Sequence, residues 1–269
     1  MSAIQRGTGR PRRGVRSIKK NSGDLLRSRN DRDIHDEVIH YLSDAGLRLA
    51  QSSNDFLDQK QAERAQRFSH FLARRYYRDR LSRAFRYSAT LLGTGRIAEQ
   101  ITDSPEFHLI LERCVLGSLA TSREVGDLAV SVLLSMRSEG WWSELLEYER
   151  AFFLQLATSE VTPASTFPQK SISTLVRRFR LQVPELLARL KSGTHVGDDL
   201  DGEATLLFSR TTHGKIYVVE LDEKTSAVFQ SIDDNRSANE IAALCGASQQ
   251  EIQRILAALS DIGSVVLPN

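Results

Sequence analysis

The chain has 269 residues, 41% of them hydrophobic and 26% charged, with a formal net charge of +2. That is long enough to bury two cores, and it excludes a chain disordered throughout. No apolar run approaches the roughly 20 residues of a membrane-spanning helix, and two cysteines 131 positions apart, Cys114 and Cys245, give neither a disulfide framework nor a thiolate zinc site.

Charge is unevenly spread. Residues 1–22 hold seven basic side chains and no acidic one, leaving 29 basic against 34 acidic residues in the remainder. A stretch so rich in Gly, Pro, Arg and Ser buries too little apolar area to offset its chain entropy, so it reads as a disordered basic arm. With no apolar signal-peptide core at the N-terminus, the expected location is cytoplasmic.

Residues 23–158 read as a helical domain, because apolar spacing of three and four runs through them almost without interruption. Ser104-Pro105-Glu106 gives a cap, a proline at the first helical position and a first-turn acid, ahead of Phe107, Ile110, Leu111 and Cys114 on one face. Ser122 is placed to cap the helix whose core face is Val125, Leu128, Ala129, Val132, Leu133 and Met136. Trp141 and Trp142 open a further helix, with Leu145, Tyr148, Phe152, Phe153 and Leu156 along it. Between residues 60 and 86 nine basic side chains interleave with aromatic ones. They suit either a solvated helix face beside a core of Phe68, Phe71, Leu72, Leu81 and Phe85, or contact with nucleic acid or an acidic protein.

Pro163, Pro168, Pro184, Gly193, Gly197 and Gly202 break up residues 159–203, which read as a linker with one short helix from Pro184 to Leu190. Beyond it the period falls to two. The runs ATLLFS (204–209) and KIYVVEL (215–221) predict a hairpin, and three short helices follow. Their starts are marked by Asp222, by Ser237 with Glu240, and by Ser248 with Glu251; Gly246 and Gly263 mark ends, before Val265 and Val266 return to strand. The chain is thus expected to be α+β and mainly α: a helical N-terminal domain, then a winged-helix-like recognition domain at 204–269 with a short antiparallel sheet.

Catalytic motifs are weak. GTGRIA at 93–98 matches a dinucleotide fingerprint but follows a helical pattern rather than a strand. DDLDG at 198–202, aligned on its glycine as a calcium loop, lacks both the first and the last ligand. The six histidines show no HxxH or HxxxH pair. No catalytic residue and no metal ligand is assigned. Residues 204–269 carry five basic and eight acidic side chains, which argues against a DNA-reading winged helix.

The segment VVELDEKTSAVFQSIDDNRSANEIAAL with EIQRILAALSDIGSVV, within 218–266, resembles the peptide chaperone of the pyrroloquinoline quinone pathway. That fold supplies the recognition element of many enzymes modifying ribosomally made peptides. Upstream, SELLEYERAFFLQLATSEVTP (143–163) looks like a helix of the partner subunits that accompany TIM-barrel multinuclear iron oxidases in methanobactin and thiaglutamate biosynthesis. The resemblance implies a noncatalytic subunit, holding no cofactor itself, that binds a precursor peptide and presents it, as one half of a heterodimer, to an oxidase that carries the iron. The alternative is a nucleic-acid-binding regulator using the basic N-terminal segments. For peptide binding the expected element is the strand Lys215, Ile216, Tyr217, Val218, Val219, Glu220 and Leu221, through edge pairing, with Arg254 on the last helix; Ile255 and Leu259 are expected mainly as core.

Overall fold

The computed structural model describes residues 59–159, 162–196 and 200–268. The basic arm at 1–22 and the start of the helical domain lie outside the described residues.

Among the described residues six helices come first: α1 Gln59–Ala84, α2 Arg86–Leu91, α3 Ile97–Thr102, α4 Pro105–Glu112, α5 Leu119–Leu134 and α6 Gly140–Ala157. Helix α4 starts as its sequence predicts, Ser104 Oγ accepting the Phe107 N–H, and Cys114 is a buried core residue. Helix α5 begins four residues earlier than expected. Ser118, not Ser122, is its cap, and the buried Ser122 hydroxyl instead donates to the Ala157 carbonyl (3.1 Å). A second correction concerns α1. Tyr77, Leu81 and Phe85 are core, but Phe68 and Phe71 stand 51% and 56% exposed, on the side of the helix opposite Ala73 and Tyr77.

Helix α6 is the hub and packs against α1, α5 and the sheet. Its buried positions, among them Trp142, Leu145, Leu146, Ala151, Phe153 and Leu154, lie all round it, the pattern of a helix inside a core rather than beside one. Trp142 donates its indole N–H to the Leu133 carbonyl (3.0 Å), satisfying the end of α5. The C-terminal carbonyls of α6 are taken by side chains from elsewhere: Gln155 by Arg210 (3.2 Å), Leu156 by Arg80 (2.9 Å), and Ala157 by Tyr76 (2.8 Å) and Ser122. Two guanidinium groups at a helix C-terminus also complement its dipole.

The stretch 159–203 is more than a linker. Besides the expected helix, α7 Val183–Ser192, it holds the two-residue strand β1 Gln169–Lys170 and the seven-residue strand β2 Leu175–Leu181. Arg177, Arg178 and Arg180 interrupt the apolar residues of β2 and hide its alternation. Strands β3 Asp201–Arg210 and β4 Ile216–Glu220 form the expected hairpin, and the three run antiparallel in the order β2-β3-β4. Helices α8 Glu223–Ser231, α9 Ala238–Cys245 and α10 Gln249–Asp261 follow, and β5 Val265–Val266 pairs with β1 rather than with the hairpin. Asp222 and Ser248 cap α8 and α10, and Ser237 with Glu240 forms a complete capping box on α9.

The central strand β3 is buried on both faces. Ala204, Leu206 and Phe208 join the core built by α1 to α7, while Leu207 joins a second core of Val228, Phe229, Ile241, Ile252, Leu256 and Leu259 from α8 to α10. The architecture is α+β and mainly helical.

Among the described residues one carboxyl group lies inside. Glu149 is fully buried; its Oε1 accepts the N–H groups of Tyr87 (2.7 Å) and Ser88 (3.2 Å) at the start of α2, while Oε2 has no partner. Burial pushes its carboxyl up to about 7. A raised carboxyl contributes stability that is present below its unfolded value and lost as pH rises through its folded one. Thermal or urea unfolding should therefore show stability growing by on the order of 1 kcal/mol per pH unit as pH falls from about 7 to about 5. The Glu149→Gln variant should lose that dependence, and an unchanged slope would contradict it.

Candidate functional site

Strand β4 is the outer strand of the sheet, and among the described residues it pairs only with β3. The ladder fixes which of its backbone groups are used. Leu221 N–H donates to the Thr205 carbonyl and Thr211 N–H to the Lys215 carbonyl, and Leu207 opposes Val219 while Ser209 opposes Tyr217. In an antiparallel pair hydrogen-bonded positions alternate, so Tyr217 and Val219 bond inward to β3. The N–H and C=O groups of Ile216, Val218 and Glu220 point away from it. The opposite edge differs, since the Arg180 N–H on β2 is taken by Glu144 of α6 (3.1 Å), and Arg177 pairs with Glu147 (2.9 Å).

Helix α10 packs on the Leu207 face of the sheet and runs opposite in direction to β4. At one end Lys224, just after β4, pairs with Glu251 in the first turn of α10. At the other, Ser209, opposite Tyr217, donates to the carbonyl of Ile262 (2.8 Å), just past the end of α10. Helical spacing places Glu251, Ile255, Ala258 and Ile262 along one flank of α10, beside its buried row of Ile252, Leu256 and Leu259. Tyr217 and Val219 are the strand's side chains on this face. Tyr217 is half-buried and Val219 is 38% exposed.

Val218 and Glu220 lie on the other face with Phe208. There, with Tyr148 and Leu206, they line a recess of about 380 Å³ closed by Pro184, Leu187 and Lys191 of α7. Burial pushes the Tyr148 phenol up to about 12. Of the remaining expected residues, Lys215 is exposed with its ammonium 4.5 Å from the centre of the Tyr217 ring, Ile216 is half-buried, and Leu221 is buried. Arg254 is exposed, on the side of α10 away from its buried row. Ile255, expected mainly as core, is half-buried and packs on the second core. Sequence reasoning also missed Leu187 and Lys191. The PELLARLK run marks a helix, but nothing in it tells which strand it covers.

The basic stretch on α1 is largely committed to the fold. Arg78 bonds Asp103 (3.0 Å), Arg83 bonds Asp79 (3.0 Å), Arg74 contacts His108 (2.6 Å), and Arg80 lies 3.3 Å over the Tyr76 ring while capping α6. Phe68 and Phe71 stack on each other with ring centres 6.5 Å apart. Among the described residues no three His, Cys, Asp or Glu side chains gather into a group able to hold a metal ion, and no helix is long and apolar enough to cross a membrane. No protein-family model matches the chain, and no curated protein matches it.

The turn after α10 holds this arrangement in place. Gly263 has φ of +76°, and a Cβ there would stand 2.6 Å from the Arg210 carbonyl oxygen at the end of β3. A left-handed non-glycine residue costs about 1–2 kcal/mol before any overlap is counted. Urea denaturation of Gly263→Ala should show a loss of at least about 2 kcal/mol; a variant as stable as the parent would mean that α10 is not pinned to β3 here.

Proposed function

We propose that this chain is a noncatalytic peptide-binding subunit whose winged-helix-like recognition unit takes up a precursor peptide along β4 and presents it to an iron-dependent oxidase acting on ribosomally made peptides. The observation that carries the reading is the outer edge of β4, where Ile216, Val218 and Glu220 direct backbone donors and acceptors away from the sheet. An extended peptide added there would gain main-chain hydrogen bonds from that edge. Tyr217, Val219 and the Glu251–Ile255 flank of α10 would meet its side chains on one face, and Val218, Leu187 and Lys191 on the other. The sequence resemblance supplies the class of partner. Iron, in this reading, is held by the oxidase subunit.

The regulator reading has less support, because most arginines of α1 already serve internal contacts and counterion release needs cations free to meet phosphates.

Two experiments test the proposal. Val218→Pro deletes an outward N–H without removing a rung of the β3–β4 ladder, so it should fold. Against a fluorescently labelled candidate precursor peptide, it should bind at least about tenfold more weakly than Val218→Ala. Equal affinities of the two folded variants would exclude strand addition at this edge. Co-expression with a TIM-barrel multinuclear iron oxidase of the proposed class, followed by size exclusion and metal analysis, should give a heterodimer containing iron, whereas this chain purified alone should carry none in stoichiometric amount. Tightly held iron in the isolated chain would contradict the assignment.

A further inference from the structure

A second recess, separate from the β4 edge, lies at the end of the sheet where the β3–β4 turn, the end of α10 and β5 meet, and its volume is about 690 Å³. That is within the range of small-molecule sites. One wall is apolar, formed by Val265, Val266 and Leu267, and another presents hydroxyl groups, including those of Thr162, Ser171 and Ser173. The three hydroxyls are linked to one another, Thr162 to Ser171 at 3.3 Å and Ser171 to Ser173 at 3.2 Å.

Two opposite charges line the same recess without neutralising each other. Arg210, half-buried at the end of β3, gives one guanidinium N–H to the Gln155 carbonyl (3.2 Å) and makes no ion pair among the described residues. Asp261, exposed at the end of α10, makes none either. Just behind the hydroxyl wall, Gln155 is 1% exposed; it donates to the Ser173 carbonyl (2.6 Å), and its own Oε1 is left without a partner. A simple anion entering here would meet Asp261, and a simple cation would meet Arg210. A molecule carrying both charges satisfies both groups.

We propose that this recess binds a free aliphatic α-amino acid. Its carboxylate lies on Arg210, its ammonium group on Asp261, and its side chain against Val266 and Leu267, with the hydroxyl wall completing the hydrogen bonds. A peptide end is a poorer fit, because it carries only one of the two charges. This site does not depend on the reading of β4.

Isothermal titration of the full chain with leucine, leucinamide and N-acetylleucine tests it. Leucine should bind saturably, and each blocked compound at least about tenfold more weakly. Asp261→Asn, an exposed change that removes no bond of the fold, should bring leucine down to the affinity of N-acetylleucine. Arg210→Gln, with its folding checked by circular dichroism because it also loses an α6 cap, should bring leucine down to that of leucinamide. No saturable leucine binding, equal binding of all three compounds, or an unchanged preference in Asp261→Asn would each overturn the proposal.

Discussion

The structure depends on β3 being buried on both faces at once. Leu207 and Phe208 are neighbours in sequence and both fully buried, yet they point into different cores: Phe208 among the helices that precede the sheet, Leu207 among those that follow it. A shift of one residue in register would exchange them and place each in a space shaped for the other. Burial of large apolar side chains, at about 1.5–3 kcal/mol each, therefore fixes the register of the whole sheet. With β3 central and α6 packed on β2, where Glu144 takes the Arg180 N–H, the outer edge of β4 is left without a strand partner among the described residues.

Charged residues serve the same scaffold. The carbonyls that end α6 are met by Arg80, Arg210 and Tyr76, drawn from helix α1 and strand β3, so the helix that organises the first core is tied at its C-terminus to both. Arg210 thus joins two roles: it closes a helix end with one N–H and leaves the rest of its guanidinium facing a recess. Glu149 is the inverse case, a carboxylate held inside because two backbone donors of α2 need an acceptor there.

Much of this was legible in the sequence where one residue type has one local meaning. Ser104 with Pro105, the Ser237–Glu240 box and the two-residue alternation of 215–221 each specify geometry over three to seven residues, and each is found where expected. What was not legible depended on partners distant in sequence. The strand β2 was concealed because three of its seven residues are arginines, two of which meet glutamates of α6 that sequence spacing cannot reveal. Phe68 and Phe71 fit the helical period of a core face, yet the buried face of α1 is set by Ala73, Tyr77 and Leu81 against α6, which leaves the two rings outside. Arg254 was chosen for its chemistry, an apolar stem with a polar tip; it stands exposed on α10, while its neighbour Ile255 packs on the second core.

Amide hydrogen exchange along β4, followed residue by residue by NMR, tests the central claim most directly. In the free protein the amides of Tyr217, Val219 and Leu221 should be protected and those of Ile216, Val218 and Glu220 should exchange rapidly, the alternation of an open edge. The second set should become protected when the precursor peptide is added. Protection of Ile216, Val218 and Glu220 in the free chain, or no change in them at saturating peptide, would contradict this account.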